Sequence, residues 1–397
     1  MKKIFSILGV GLFAVTSMLI YNGCSSSGGS DNPGSLNNRP ETITYTGPGS
    51  FYSIVMNNDG TCEVEIRENY DDADPIFTVA CEFEPLDNGV LELTVTGVDP
   101  DDAEDGPTIG EKAHAIEIVG FGVFLLPLGG DEIIPMLSSG SCPDDDFNAN
   151  WIVAQRQRDD EDSTSDEQDY FGTFSYDVGS DTGEVTAKRA LADGFPEVTS
   201  GSDESITGEC SDGFLSLSDE MTDDPISNLW LTTNGGAIVQ TFEQNMDTME
   251  FETSSAIVAF PRQTNDIADM EGTFRGMLFQ GGDGDVNSDD ANNFFVEMTF
   301  NDSGEGTGRQ VTSINPWETG DDAATITLED ASDIGPGWYT GVLSVPDEAD
   351  ANIACSFISN IDSTTLDALL CVGQSPGDIA EDNDNPGSIN FLMVKQD

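Results

Sequence analysis

One segment of this chain comes back almost unchanged 100 residues later. Asp169-Tyr170-Phe171-Gly172-Thr173-Phe174 returns as Asp269-Met270-Glu271-Gly272-Thr273-Phe274, and a looser copy stands at Gly49-Ser50-Phe51-Tyr52. Internal similarity at a fixed spacing points to tandem copies of one unit, so whatever folds one copy must fold all three. Each copy continues into a turn, at Asn58-Asp59-Gly60, Ser180-Asp181-Thr182-Gly183 and Asn301-Asp302-Ser303-Gly304. Each later carries a hairpin. The first two are Phe124-Leu125-Leu126-Pro127-Leu128 turning at Gly129-Gly130 and Trp230 to Asn234 turning at Gly235-Gly236; in the third, Cys355–Ser359 returns as Leu366–Cys371. The copies also end alike, in Trp151–Gln157, Ala256–Gln263 and Ile389–Gln396, each with a basic residue beside Gln.

Within a copy the pattern is that of short strands. Leu91-Glu92-Leu93-Thr94-Val95-Thr96 and Thr325-Ile326-Thr327-Leu328-Glu329 alternate with period two, which buries one face and wets the other. Gly, Asn and Asp clusters separate such runs, and the middle copy reads as about eight strands. The expected fold is all-β, with three tandem antiparallel meander units folded as small barrels or sandwiches. A single six-bladed β-propeller is the alternative. The expected units are 42–157, 169–263 and 269–397, joined by an acidic linker at 158–168 and a short one at 264–268.

The beginning of the chain carries a different kind of signal. Lys2 and Lys3 precede an uncharged apolar run from Ile4 to Ile20, and Tyr21-Asn22-Gly23-Cys24 leads into Ser25-Ser26-Ser27-Gly28-Gly29-Ser30. A basic start, a short apolar core and a small residue at the boundary make an export signal. Gly23-Cys24 resembles the lipobox of bacterial lipoproteins, with Tyr21 standing where that class usually has an aliphatic residue. The resemblance covers residues 1–24. It implies removal of 1–23 and lipidation of Cys24 as the new first residue, with 24–41 a flexible Ser/Gly/Asn tether. Ser25 after the cysteine implies sorting to the outer membrane more than to the inner. The competing readings are an ordinary secreted protein and an uncleaved anchor, for which the run falls short of about 20 apolar residues.

Charge narrows the partners. The chain has 13 basic and 75 acidic residues, a net charge of −62, and loss of Lys2 and Lys3 makes it more negative. Such a surface repels nucleic acid, which is held mainly through Lys and Arg, and anionic lipid headgroups. A saline habitat and divalent-cation binding are two explanations for so many carboxylates. Hydrophobic residues at 37 % argue for a packed body rather than disorder.

With Cys24 assigned to lipid, six cysteines are left: Cys62, Cys81, Cys142, Cys210, Cys355 and Cys371. An even number in an exported chain points to disulfides. Cys62–Cys81 and Cys355–Cys371 are favoured as bridges between neighbouring strands, leaving Cys142–Cys210. There is no Cys-x-x-Cys spacing for a metal.

Catalytic motifs are lacking. The single histidine, His114, sits in Ala113-His114-Ala115-Ile116 with no nucleophile pattern beside it, and neither a Gly-x-Ser-x-Gly elbow nor a His-Glu-x-x-His pair occurs. No enzyme is expected, and no cofactor beyond Ca²⁺. Asp283, Asp285, Asn287 and Asp289 alternate as hard oxygen donors in the way of a partial calcium loop, although Ser288 and Phe294 break the full pattern. The run Ile116–Leu128 is the most apolar of the first unit. Phe121, Phe124, Leu125 and Leu126 are its candidates for holding a lipid, fatty acid or hydrocarbon. The expectation is a non-enzymatic, lipid-anchored envelope protein that binds an apolar small molecule or a membrane transport partner such as an outer-membrane protein. The alternative is a structural or adhesive surface lipoprotein with Ca²⁺-stabilised acidic loops.

Overall fold

The computed structural model describes residues 42–47, 52–67, 75–86, 89–99, 107–127, 134–138, 142, 145–156, 170–180, 182–191, 194–197, 205–207, 210–211, 214–218, 225–231, 237–244, 251–263, 265–281, 294–346, 350–359, 367–374 and 388–396. The fold is all-β and antiparallel throughout.

Barrel 1 runs through β1 (Thr42–Thr46), β2 (Tyr52–Asn57), β3 (Thr61–Ile66), β4 (Phe77–Pro85), β5 (Val90–Asp99), β6 (Lys112–Ile118), β7 (Gly122–Pro127) and β8 (Ile134–Ser138), and β8 returns to β1. Its strands follow the alternation read from sequence. Along β4, Phe77, Val79, Cys81 and Phe83 are buried, whereas Glu82 between them faces water. Barrel 3 has the same plan in β18 (Gly272–Gly281), β19 (Phe294–Phe300), β20 (Glu305–Ile314), β21 (Trp317–Asp330), β22 (Trp338–Ser344), β23 (Ala351–Ile358), β24 (Ala368–Gln374) and β25 (Ser388–Gln396). The turns matched in sequence are matched in space. Gly60 and Gly304 both take left-handed φ, of 88° and 81°, which glycine adopts without a Cβ penalty. The carbonyl of each accepts a hydrogen bond from two strands on, Phe83 N in barrel 1 and Leu328 N in barrel 3.

Between the barrels lies a sheet of β9 (Phe147–Arg156), β10 (Tyr170–Asp177), β11 (Thr182–Ala190), β12 (Ser205–Thr207), β13 (Cys210–Ser211), β14 (Phe214–Ser218), β15 (Pro225–Leu231), β16 (Ala237–Gln244) and β17 (Phe251–Pro261), in the order β12-β11-β10-β9-β17-β16-β15-β14-β13. Its two edges, β12 and β13, are separated by two residues, so Thr207 and Cys210 lie within roughly 11 Å. β12 pairs with β11 and β13 with β14. Nine antiparallel strands put the two edges in the same direction, and the middle unit is a nine-stranded sheet flanked in sequence by the two closed barrels.

This sheet moves one boundary. Trp151–Gln157 was expected to end unit 1, within 42–157. Instead β9 bonds β10 and β17, and barrel 1 is complete without it. Residues 169–263 supply eight of the nine strands of this sheet, and β9 is the ninth, between β10 and β17. The likeness between Trp151–Gln157 and Ala256–Gln263 is real. The two segments are adjacent partners, with Trp151 opposite Ala259 and Ile152 opposite Val258.

The barrels pack on one another. Tyr45, Ile54, Met56, Phe83, Leu91 and Met136 help fill the inside of barrel 1, and Phe274, Phe300, Tyr339, Ile353, Phe357 and Phe391 that of barrel 3. Eight strands leave an interior just wide enough for side chains. A further core joins all three units, from Phe121, Phe124 and Leu126 through Ile152, Phe171 and Phe260 to Trp338, Leu370 and Leu392. Phe121 meets Phe260 edge-on at 4.8 Å, and Phe171 meets Trp338 at 4.7 Å. Each such side chain contributes about 1.5–3 kcal/mol by leaving water.

Candidate functional site

The shared core accounts for the apolar run of the first unit. Along β6 and β7, Ala115 and Val123 point into barrel 1, while Ile116, Ile118, Phe124 and Leu126 point out into the common core. Phe121, in the turn between these strands, joins the common core, and Leu125 packs against the barrel 1 interior. Three of the four residues expected to hold an apolar ligand thus pack against the other two units. The fourth lies on the opposite face. A strand buried on both faces has no polar alternation, and that is why this run looked like a binding surface in sequence.

Cys62–Cys81 and Cys355–Cys371 are disulfides between directly opposed residues of β3 and β4 and of β23 and β24. Cys142 is disulfide-bonded too; the side chain of Cys210 lies outside the described residues. So do Cys24 and the whole set Asp283, Asp285, Asn287 and Asp289. Among the described residues, no three His, Cys, Asp or Glu side chains come together as a metal site.

His114 is buried on β6, facing barrel 3. Its ring stands edge-on to Phe295 at 5.6 Å, and its Nε2 lies 3.7 Å from Glu92 Oε2. Burial pushes its pKa below 6.5, against the pull of the Glu92 carboxylate. Its surroundings are those of a contact between barrels, with no Ser, Thr or Cys nucleophile among the described residues bonded to it. Another buried polar pair, Tyr45 Oη donating to Glu117 Oε1 at 2.7 Å, pins β1 to the end of β6.

Among the described residues, a surface concavity with a partly exposed ring lies where β9 begins and β10 ends in the middle sheet. Ile152, Val258 and Phe260 face outward to the common core, so alternation turns Phe147, Ala149 and Trp151 of β9 inward. Phe147 lies directly opposite Tyr176 of β10. Their rings stack at 5.5 Å with 29° between planes, and Phe174 adds a tilted contact at 6.0 Å. Tyr176 is buried, but Phe147, at the strand end, stays half-exposed. Asp146, Asn148, Ser175, Asp177 and Ser180 complete the lining of a dimple of about 370 Å³. Two of these groups are fixed. Asp146 Oδ1 accepts from Val178 N and Asp177 Oδ1 from Ser180 N, both at 2.9 Å, which ties down the β10–β11 turn. The second oxygen of each carboxylate makes no hydrogen bond with the described residues. A wider dimple of about 440 Å³ on barrel 1, lined by Asp59, Glu82, Glu84 and Glu92, is acidic but lacks an accessible ring, since Phe83 is buried.

Sequence reasoning did not reach the dimple of the middle sheet. Phe147 and Tyr176 are 29 residues apart in the chain and meet only through the β9–β10 register. The one signal was the inward series Phe147, Ala149, Trp151 set against Tyr176, Phe174, Gly172, where large faces small in two pairs and ring faces ring in the third.

No protein-family model matches the chain, and no curated protein matches it. Among solved structures it is similar to a double mutant of Transferrin Binding Protein B (TbpB) from Haemophilus parasuis Hp5, at 10 % identity and a TM-score of 0.29, over 90 % of this chain and 76 % of that one. It is likewise similar to isotype 1 TbpB from serogroup B Neisseria meningitidis, at 10 % identity and a TM-score of 0.29, over 87 % of this chain and 66 % of that one. A likeness this slight carries nothing about what the present chain binds.

Proposed function

We propose that this is a lipid-anchored protein of the bacterial cell envelope that works by binding at its surface, without catalysis. Two things support the reading. Gly23-Cys24 and the Ser/Gly/Asn stretch after it have the form of a lipidation site and tether, which would hold the body away from the bilayer. The observation that carries the mode of action is the filling of barrels 1 and 3 by their own side chains. An apolar cargo inside these barrels would have to displace Phe83 or Phe357, both buried. Recognition then falls to the outer faces and rims, and the charge of −62 favours neutral or cationic partners.

The test has two arms. In the expressing bacterium, Cys24→Ser should move the protein from the membrane to the soluble fraction, and radiolabelled palmitate should label wild type alone. Organic extraction of the Cys24→Ser protein should then release no stoichiometric lipid or hydrocarbon. Unchanged membrane attachment in the variant would overturn the anchor. A stoichiometric apolar molecule in the extract would overturn binding at the surface in favour of carriage inside.

A further inference from the structure

We propose that the dimple at the edge of the middle sheet, beside the β10–β11 turn, binds a neutral pyranose sugar, free or as the end unit of a glycan. This deepens the surface-binding reading and rests on it, though not on the lipid anchor. Three properties of the dimple select the ligand. A half-exposed ring backed by a second ring, Phe147 on Tyr176, offers a rigid apolar platform. A pyranose presents just such a patch of C–H groups on one face, and aromatic rings bury area at little entropy cost. The ring is edged with oxygen and amide groups of Asp146, Asn148, Ser175, Asp177 and Ser180, suited to a ligand rich in hydroxyls. A hydrocarbon would strip water from the second oxygens of the Asp146 and Asp177 carboxylates and offer them no partner.

The carboxylates set the charge. Each uses Oδ1 to hold the β10–β11 turn and keeps Oδ2 for an incoming hydroxyl donor. Hydrogen bonds to an ionised acceptor are roughly twice as strong as neutral ones, and here the acceptors are held in place before the ligand arrives. Phosphates, sulfates and uronic acids are repelled by the same pair. The cavity of about 370 Å³ falls at the small end of ligand sites, which run from about 300 to 1,000 Å³. One ring fills it; a longer glycan would continue into solvent.

The experiment uses the full chain in detergent, with the methyl glycosides of glucose, galactose, mannose and methyl glucuronic acid as probes. Saturation-transfer NMR and calorimetric titration read the binding. At least one neutral glycoside should bind, with transfer strongest from one face of its ring, and the glucuronide should bind more weakly. Phe147→Ala should weaken binding about tenfold. Asp177→Asn keeps an acceptor for Ser180 N while replacing the second oxygen with a donor. It should weaken binding by about tenfold as well, with an unchanged melting temperature. No transfer to any neutral glycoside at tens of millimolar would overturn the proposal. So would binding that survives both variants, or binding confined to amine-bearing sugars and abolished by salt. None of these failures would touch palmitate labelling or the Cys24→Ser fractionation.

Discussion

Barrels 1 and 3 share a strand plan and a buried disulfide but close very differently. In barrel 3, β18 and β25 pair through nine residues each, from Thr273 opposite Gln396 to Gly281 opposite Ser388. In barrel 1, β1 and β8 pair, among the described residues, through two, Tyr45 opposite Ser138 and Thr46 opposite Leu137. Barrel 3 is a ring held by its own ladder. Barrel 1 is a curled meander whose ends are held by what lies inside and outside it: Tyr45 bonded to Glu117 within, and Leu126 and Leu137 packed against the other units without. A closed barrel can therefore be stabilised at its seam or through its neighbours, and this molecule uses both solutions in one chain.

The largest expected effect is at the common core. If barrel 1 depends on its neighbours, removing the Phe121 ring from Phe260 should hurt it far more than its position in a turn suggests. Phe121→Ala should cost about 3–5 kcal/mol, measured by chemical denaturation, and should unprotect the amides of β1 and β8 before those of barrel 3 in hydrogen exchange. Equal loss of protection in β18 and β25 would break the contrast between the two barrels.

A smaller effect would turn barrel 3 into a likeness of barrel 1. Gly276 of β18 lies opposite Met393 of β25. A Cβ there would overlap the Leu392 carbonyl oxygen and the Met393 Cα, which belong to backbone and cannot swing aside. Gly276→Ala should cost about 1–3 kcal/mol, the usual range for an overfilled site. Exchange should speed up along β25 while the β23–β24 ladder, stapled by Cys355–Cys371, keeps its protection. Wild-type protection of β25 in the variant would mean that the long seam does not hold the ring.

The same contrast separates what was legible in the sequence from what was not. Strand faces were legible wherever one face met water, as in β4, because alternation is then forced. Cys62–Cys81 and Cys355–Cys371 were legible because each pair lies on consecutive strands. The partner of β9 was not: a segment pairing with β10 and β17 across the chain has the same apolar pattern as one that closes barrel 1. Nor was the role of Phe121, Phe124 and Leu126, since a residue packed on another domain and one lining a ligand cavity are both simply apolar. The dimple of the middle sheet depends on register, and register between distant strands leaves no mark on either strand alone.

The smallest effect comes from the one imidazole between the two closed barrels. His114 faces Glu92 on β5, has Lys112 on its own strand, and meets the Phe295 ring from barrel 3. Burial dominates and lowers its pKa below 6.5, so the folded state favours the neutral ring. The associated stability is fully present above 6.5 and is lost as pH falls through the lower folded value. Titration of many carboxylates overlays this at acid pH, so the measurement is a difference. His114→Gln removes the titrating ring but not the polarity. The stability of wild type relative to this variant should decline as pH falls from about 7 toward 5, with barrel 1 the first to lose exchange protection. A difference that stays constant with pH would show that the imidazole meets the same environment folded and unfolded.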